Sequence, residues 1–357
     1  MDFDKSLLPN LEIKIAHRNW QIALSQAFAL LVSVSPGEVV CITGPSRGGK
    51  SKLIEELIRL LCGDDQFATT GLLPVVVVEA VNTGPNGTFS TKSFTQRMLE
   101  AVNHPILSMS QMEVDDPFTY QKMDRSTEGS LRAALERAFK HRKTRYLFID
   151  EAQHAKYVSK STQAAHAVID SWKCLAQTAG LVLVIVGAYP VLDILKNSPH
   201  LLGRKHQVHL PRYHMSEEDV SSFLWILEHF EQVLRLDNSI PSLTSCGELL
   251  YEGSLGCIGL VKSWLRRAAA FAAIENKGIT EAILKQTMLS NADREAIALE
   301  IYAGEKLLES TCFVKPTKKE TVKPSSDKKG KAKAKTKAFK SKPKRKKTGN
   351  RTEVGND

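Results

Sequence analysis

The 357-residue chain is long enough for a full-sized core plus a smaller second domain or an appendage, and its 42% hydrophobic content suits a soluble globular protein. It contains no run of 18 uncharged apolar residues, so no transmembrane helix is expected, and the opening MDFDKSLLPN lacks the basic-then-apolar order of a secretory leader. The net charge of +10 is unevenly placed: residues 315–357 hold 17 Lys and Arg against 4 acids, while residues 1–314 hold 32 against 35, leaving the body nearly neutral.

Residues 11–34 carry helical spacing through Ile15, Ile22, Ala23 and Phe28. GEVVCITG then reads as a strand, GPSRGGK as a loop, and SKLIEELIRLLCG as an amphipathic helix stopped by Gly63. PVVVVEAV, residues 74–81, is a β-branched run bounded by Pro74 and NTGPNG, the composition of a buried strand. SFTQRMLEAV is helical, and residues 104–125 are polar and poorly periodic, an irregular excursion. Helix returns at GSLRAALERAFKH, followed by the strand RYLFID, a helix over 161–179, the strand LVLVIVG over 181–187 and a shorter strand, HQVHL, over 206–210. Alternating strands and helices with apolar strand runs indicate an α/β domain whose mainly parallel sheet is covered on both faces.

After Pro211 the strands stop. SEEDVSSFLWILEHF, the stretch around GELLYEG, GLVKSWLRRAAAFAAIE, ITEAILKQTML and ADREAIALEIYAGEKLL all carry helical patterns. The expected organisation is an N-terminal helical segment (1–34), an α/β nucleotide-binding domain (35–212), a helical lid (213–312) and a Lys-rich tail (313–357). The tail offers nothing to bury and is expected to be disordered. Cys41, Cys62, Cys174, Cys246, Cys257 and Cys312 form no CxxC pair; several lie in apolar surroundings and read as buried thiols, which suits a reducing compartment. Trp172, Trp225 and Trp264 fall on helical patterns and are expected in the core, and His200, His206, His209 and His214 lack the spacing of a metal site.

Two constellations carry chemistry. Residues 44–51 (Gly44, Pro45, Ser46, Arg47, Gly48, Gly49, Lys50, Ser51) match G-x-x-x-x-G-K-[ST] between a strand and a helix. Glycines let such a loop turn its N–H groups toward phosphate oxygens, the lysine adds charge, and the serine hydroxyl can ligate Mg2+. In LFIDEAQHA, an apolar run delivers Asp150 to a strand end beside that loop, where it can hold the metal through water, and Glu151 can activate the attacking water. The pair favours an ATPase that uses ATP and Mg2+ over a phosphate-loop kinase.

Phosphate loop, Asp-Glu strand end, further strand and helical lid together resemble the AAA+ ATPase class. IDEAQHA, DSWKCLAQTAGLVLVIVGAYPVLDIL, LLGRKHQVHLPRY and EGSLGCIGLVKSWLRRA further resemble the TniB/TnsC transposition regulators, relatives of the phage protein MuB, over roughly residues 35–290. That resemblance implies a cytoplasmic, nucleoid-associated prokaryotic protein that forms an ATP-loaded ring or helical filament on double-stranded DNA. It would recruit a transposase, link it to a TniQ-like target selector, and disassemble on hydrolysis. Within the class, Arg204 falls where a residue reaches the neighbouring subunit's ATP, with Lys205 and Arg212 as alternatives. Lys92 falls where the family contacts the DNA backbone, an interaction without sequence preference, and Arg97 follows one turn and a half later as a weaker candidate. Ala188 and Leu260 occupy positions where relatives carry a polar sensor and an arginine, which implies slow hydrolysis and a nucleotide used as an assembly switch. The tail would bind nucleic acid electrostatically or dock on an acidic partner. The alternative is an AAA+ ATPase of another trade, such as a replication loader, a secretion ATPase or a defence NTPase.

Overall fold

The computed structural model describes residues 15–63, 70–107, 125–196 and 203–312. The first 14 residues, most of the expected excursion (108–124) and the basic tail lie outside them. The chain divides into two units, Met1–Phe313 and Val314–Asp357, of which the second lies wholly outside the described residues.

Five strands, β1 (Val39–Thr43), β2 (Val75–Glu79), β3 (Tyr146–Asp150), β4 (Val182–Gly187) and β5 (Lys205–His209), form one sheet in the order β2-β3-β4-β1-β5. Every neighbouring pair is parallel. Parallel pairing needs crossover connections, and these put helices on both faces. The central strands β1 and β4 are buried throughout, which is why VVCIT and VLVIVG are nearly continuous apolar runs. Pairings Thr43↔Gly187 and Glu79↔Asp150 align the strands' C-terminal ends, so the loops leaving β1, β3 and β4 emerge along one edge.

One face is covered by α1 (Arg18–Ser33) and α2 (Lys50–Cys62), which set Ala27, Leu31, Leu53 and Leu57 against Val40, Ile42, Phe148 and Val184. On the other face lie α3 (Thr91–Ala101), α4 (Glu128–His141) and α5 (Thr162–Ala179), contributing Phe94, Leu135, Phe139 and Trp172. Short α6 (Pro190–Lys196) follows β4. Ser90 and Thr127 start α3 and α4 by accepting the Ser93 and Ser130 N–H groups.

Beyond residue 213, α7 (Glu217–Glu231), α8 (Gly247–Ser254), α9 (Ile258–Ile274) and α10 (Glu281–Thr287) surround a core of their own around Phe223, Leu227, Trp264 and Leu284. The Trp264 indole N–H is satisfied by the Leu284 carbonyl at 3.0 Å. The last helix, α11 (Asn291–Cys312), instead packs Ile301 with Tyr189, Leu192 and Leu260, next to the sheet.

Two expectations are corrected. The run at 74–81 is not fully buried: β2 is an edge strand, and Val77 (37% exposed) and Glu79 alternate with buried Val76 and Val78. Trp225 is 44% exposed, because the buried stripe of α7 is Phe223, Ile226, Leu227 and Phe230, and 225 falls off it. The helical pattern through Ile22 and Ala23 holds as α1, whose buried stripe is Ala23, Ala27 and Leu31, with Ile22 on the exposed side.

His17 anchors the start of α1. Its Nδ1 accepts the Trp20 N–H at 3.4 Å and lies 3.0 Å from the Tyr213 hydroxyl. Burial lowers its pKa to about 4. Both contacts suit Nδ1 as an acceptor, so the ring that fits is neutral and carries its proton on Nε2. The unfolded imidazole takes a proton near pH 6.5 and the folded one only near 4, so stability present above pH 6.5 is lost as pH falls through that window. The loss from this residue is about 2 kcal/mol by pH 5. Melting temperature should therefore fall between pH 7 and pH 5, with a shallower slope in His17→Asn, which retains a capping oxygen. An identical slope in the variant would remove His17 as the source.

Candidate functional site

The phosphate loop leaves β1 at Thr43 and enters α2 at Lys50. Two left-handed residues, Arg47 (φ 59°) and Gly49 (φ 94°), fold it back on itself, and the Gly48 N–H donates to the Pro45 carbonyl at 3.0 Å. Lys50, only 5% exposed, donates from Nζ to the carbonyls of Pro45 (2.8 Å) and Gly44 (3.3 Å). Burial pulls the ammonium below its ordinary pKa, while Glu151, Asp150 and Glu300 pull it back up. A cation held this way, at the N-terminus of a helix, is matched to a polyanion.

Asp150 closes β3. Its Oδ2 accepts the Ser51 hydroxyl at 3.0 Å and its Oδ1 accepts the Glu151 N–H at 2.8 Å. Burial raises the Asp150 pKa, and these two hydrogen bonds oppose the rise. A serine hydroxyl and a carboxylate brought together are hard oxygen donors, so the pair fits Mg2+ and would hold it. Glu151 follows in a left-handed turn (φ 53°) that starts a 3-10 helix, Ala152–Val158. Phosphate loop, Asp150 and Glu151 thus meet at one edge of the sheet.

The C-terminal helices reach this edge. Gly259 lies so close to the loop that a Cβ there would sit 1.8 Å from the Arg47 carbonyl, and the Arg47 guanidinium donates to the Ser263 hydroxyl at 2.9 Å. From α11, Glu300 accepts the Ser46 hydroxyl at 3.3 Å. A cavity of about 320 Å³ opens beside Gly48 and Gly49, with Ile15, Trp20 and Ile258 among its apolar lining and Lys52 and Lys262 among its cations. Glu300 sets a carboxylate against a loop shaped for phosphate. Glu300→Gln should tighten ATP binding about two- to fivefold at low salt and less at high salt. Titration with a fluorescent ATP analogue measures this, and unchanged or weaker affinity would contradict it.

The other residues singled out from sequence lie apart. Arg204 is exposed in the turn before β5, where its carbonyl accepts the Val39 N–H at 2.9 Å. It therefore stands at the opposite end of β1 from the phosphate loop, about 13 Å away along the strand. Arg212 is occupied within its own chain: its guanidinium is bidentate to Glu305 (2.9 and 3.1 Å) and donates to the Leu255 carbonyl. Lys92 and Arg97 sit on α3, both partly exposed, while Phe94, Met98 and Leu99 of the same helix face the core. Ala188 follows β4 directly, between the ends of β1 and β3, and is buried. Glu300, Ser263 and Gly259 were not anticipated as neighbours of the loop, and no local sequence signal marks them.

Residues 35–195 match the family model described as an AAA domain. No curated protein matches the chain. Among solved structures, the ORC2 protein of Aeropyrum pernix, determined as ADPNP–ADP complexes, is 14% identical over 80% of this chain and 70% of its own, with a TM-score of 0.50. Cdc6p of Pyrobaculum aerophilum is 13% identical over the same shares, also at 0.50. The Walker-type ATPase of Pyrococcus abyssi is 13% identical over 85% and 77%, at 0.45. At such identities the likeness is one of fold. The parallel sheet order, the phosphate loop after its β1 and the Asp150 strand end define the class: this is the fold of an AAA+ P-loop ATPase.

Proposed function

We propose that the protein is an ATP-dependent, DNA-binding regulator of transposition that assembles on duplex DNA and lets go after hydrolysis. The observation that carries the assembling role is the placement of Arg204, exposed at the far end of β1 from its own phosphate loop. An arginine there is too far from its own phosphate loop to act on a nucleotide bound in it, so a catalytic role for it requires a neighbouring subunit's nucleotide. Lys50 and the loop N–H groups hold the triphosphate, and Ser51 with Asp150 hold Mg2+, which neutralises phosphate charge when bound. Glu151 takes the proton of the water whose oxygen bonds to the γ-phosphorus, and the bond to ADP breaks with its electron pair remaining on ADP. Arg47–Ser263 and Gly259 tie the loop to α9, so a change of nucleotide reaches the helical lid, 213–312.

Lys92 and Arg97 on α3, and exposed Lys156 and Lys160 in the cleft near Asn86 and Thr88, supply phosphate-backbone contacts. The TniB/TnsC resemblance supports a transposase and a TniQ-like selector as partners, and the basic tail adds salt-sensitive DNA affinity. Electron microscopy of the full chain with duplex DNA and a nonhydrolysable ATP analogue should show rings or filaments on DNA that are absent with ADP. Bare DNA under both conditions would reject the assembling role. An ATPase of this fold serving replication, secretion or defence would then be the better account.

A further inference from the structure

The backbone N–H of Ala188, directly after β4, is taken by a side chain that comes from beside Glu151. Gln153, two residues beyond Glu151, donates from Nε2 to Glu151 Oε2 at 2.5 Å, and its Oε1 accepts the backbone N–H of Ala188 at 3.1 Å. The end of β4 is shaped around this carboxamide: a Cβ on Gly187 would fall 2.6 Å from Gln153 Oε1. One amide thus connects the C-terminal end of the strand lying between β1 and β3 to the carboxylate at the head of the 3-10 helix.

We infer that Gln153 is a positioning residue: it fixes the Glu151 carboxylate and links it to the end of β4. The inference rests on the hydrolytic role proposed above for Glu151. With one oxygen taken by the Gln153 N–H, the carboxylate plane is set and its second oxygen is the one offered to the attacking water. Because the other half of the amide grips the Ala188 main chain, a displacement of the β4 end by bound phosphate moves Glu151 with it. An amide is suited to this task, since it donates to a carboxylate and accepts from a peptide N–H at once. A glutamate at 153 keeps the acceptor for Ala188 but replaces the donor with a second negative charge facing Glu151.

Steady-state hydrolysis and ATPγS binding of the full chain, with and without duplex DNA, test this. Gln153→Glu should lower kcat at least tenfold with ATPγS affinity within threefold of the unaltered protein and an unchanged melting temperature. Gly187→Ala leaves Gln153 in the chain but takes its space, at a residue whose backbone accepts alanine, and should lower kcat to a similar extent. In a Glu151→Gln background, Gln153→Glu should add little further loss, because the two residues act as a unit. If the unaltered protein hydrolyses ATP while both single variants keep kcat within twofold, Gln153 has no such role. A parallel loss of ATPγS affinity and melting temperature would make it structural only. Absence of hydrolysis in the unaltered protein, with or without DNA, would overturn the ATPase role itself and this inference with it.

Discussion

Lys50→Ala is expected to weaken ATP binding by about 10- to 100-fold, the range of one to two charge-assisted hydrogen bonds, and to abolish ATP-dependent coating of DNA. The ammonium is buried, and its described hydrogen bonds run to two backbone carbonyls of the loop. Among the described residues no carboxylate forms an ion pair with it. Glu151, Asp150 and Glu300 act on it only through space. A cation in that condition bears a desolvation cost that a phosphate oxygen would offset. Removing it should therefore cost nucleotide affinity and not fold stability. Melting temperature without nucleotide should stay level or rise, and the increase in melting temperature normally produced by ATP should vanish. Lys50→Met, closer in volume, should behave alike. Isothermal titration with ATPγS measures the effect, and an affinity within twofold of the unaltered protein would remove Lys50 from the phosphate site.

The central strands and the motif-bearing loops were legible in the sequence because their causes are local. β1, β3 and β4 are apolar runs that stop where chemistry begins, at Gly44, Asp150 and Ala188. β2 has the same β-branched composition, yet it lies at the sheet's edge and exposes Val77, since composition reports strand propensity and not the number of neighbours. On α7 the exposure of Trp225 was available from the 223, 226, 227, 230 stripe, but helical spacing alone did not separate the two faces. The same division runs through the site. Lys50, Ser51, Asp150 and Glu151 announce themselves by spacing, whereas Ser263 and Glu300 reach the loop from 216 and 254 residues away. Gln153 stood in view within IDEAQHA, but its meaning depends on a backbone N–H 35 residues further on. Contacts made by main chain, or across that much sequence, leave no local pattern to read.

Glu151→Gln is the complement of the Lys50 variant, since it should preserve ATP binding while slowing hydrolysis about 10²- to 10⁴-fold, the span attributed to a general base. The substitution keeps size and shape. A glutamine side chain still presents an oxygen to the Gln153 N–H, and the left-handed turn at 151 is held by the Asp150 contact to a backbone N–H that the change does not touch. Only the capacity to take a proton from water is lost. The Ser51–Asp150 pair remains, so the magnesium-dependent part of nucleotide affinity should remain with it. For an assembly whose release follows hydrolysis, the consequence is a longer residence on DNA: dissociation of labelled duplex after removal of free ATP should slow by at least tenfold. It should approach the rate that the unaltered protein shows with a nonhydrolysable analogue. Slow hydrolysis with unchanged DNA release would separate the carboxylate's chemistry from disassembly, and a nucleotide-exchange clock would have to replace the hydrolytic one. Hydrolysis at the unaltered rate would assign the proton to a different group.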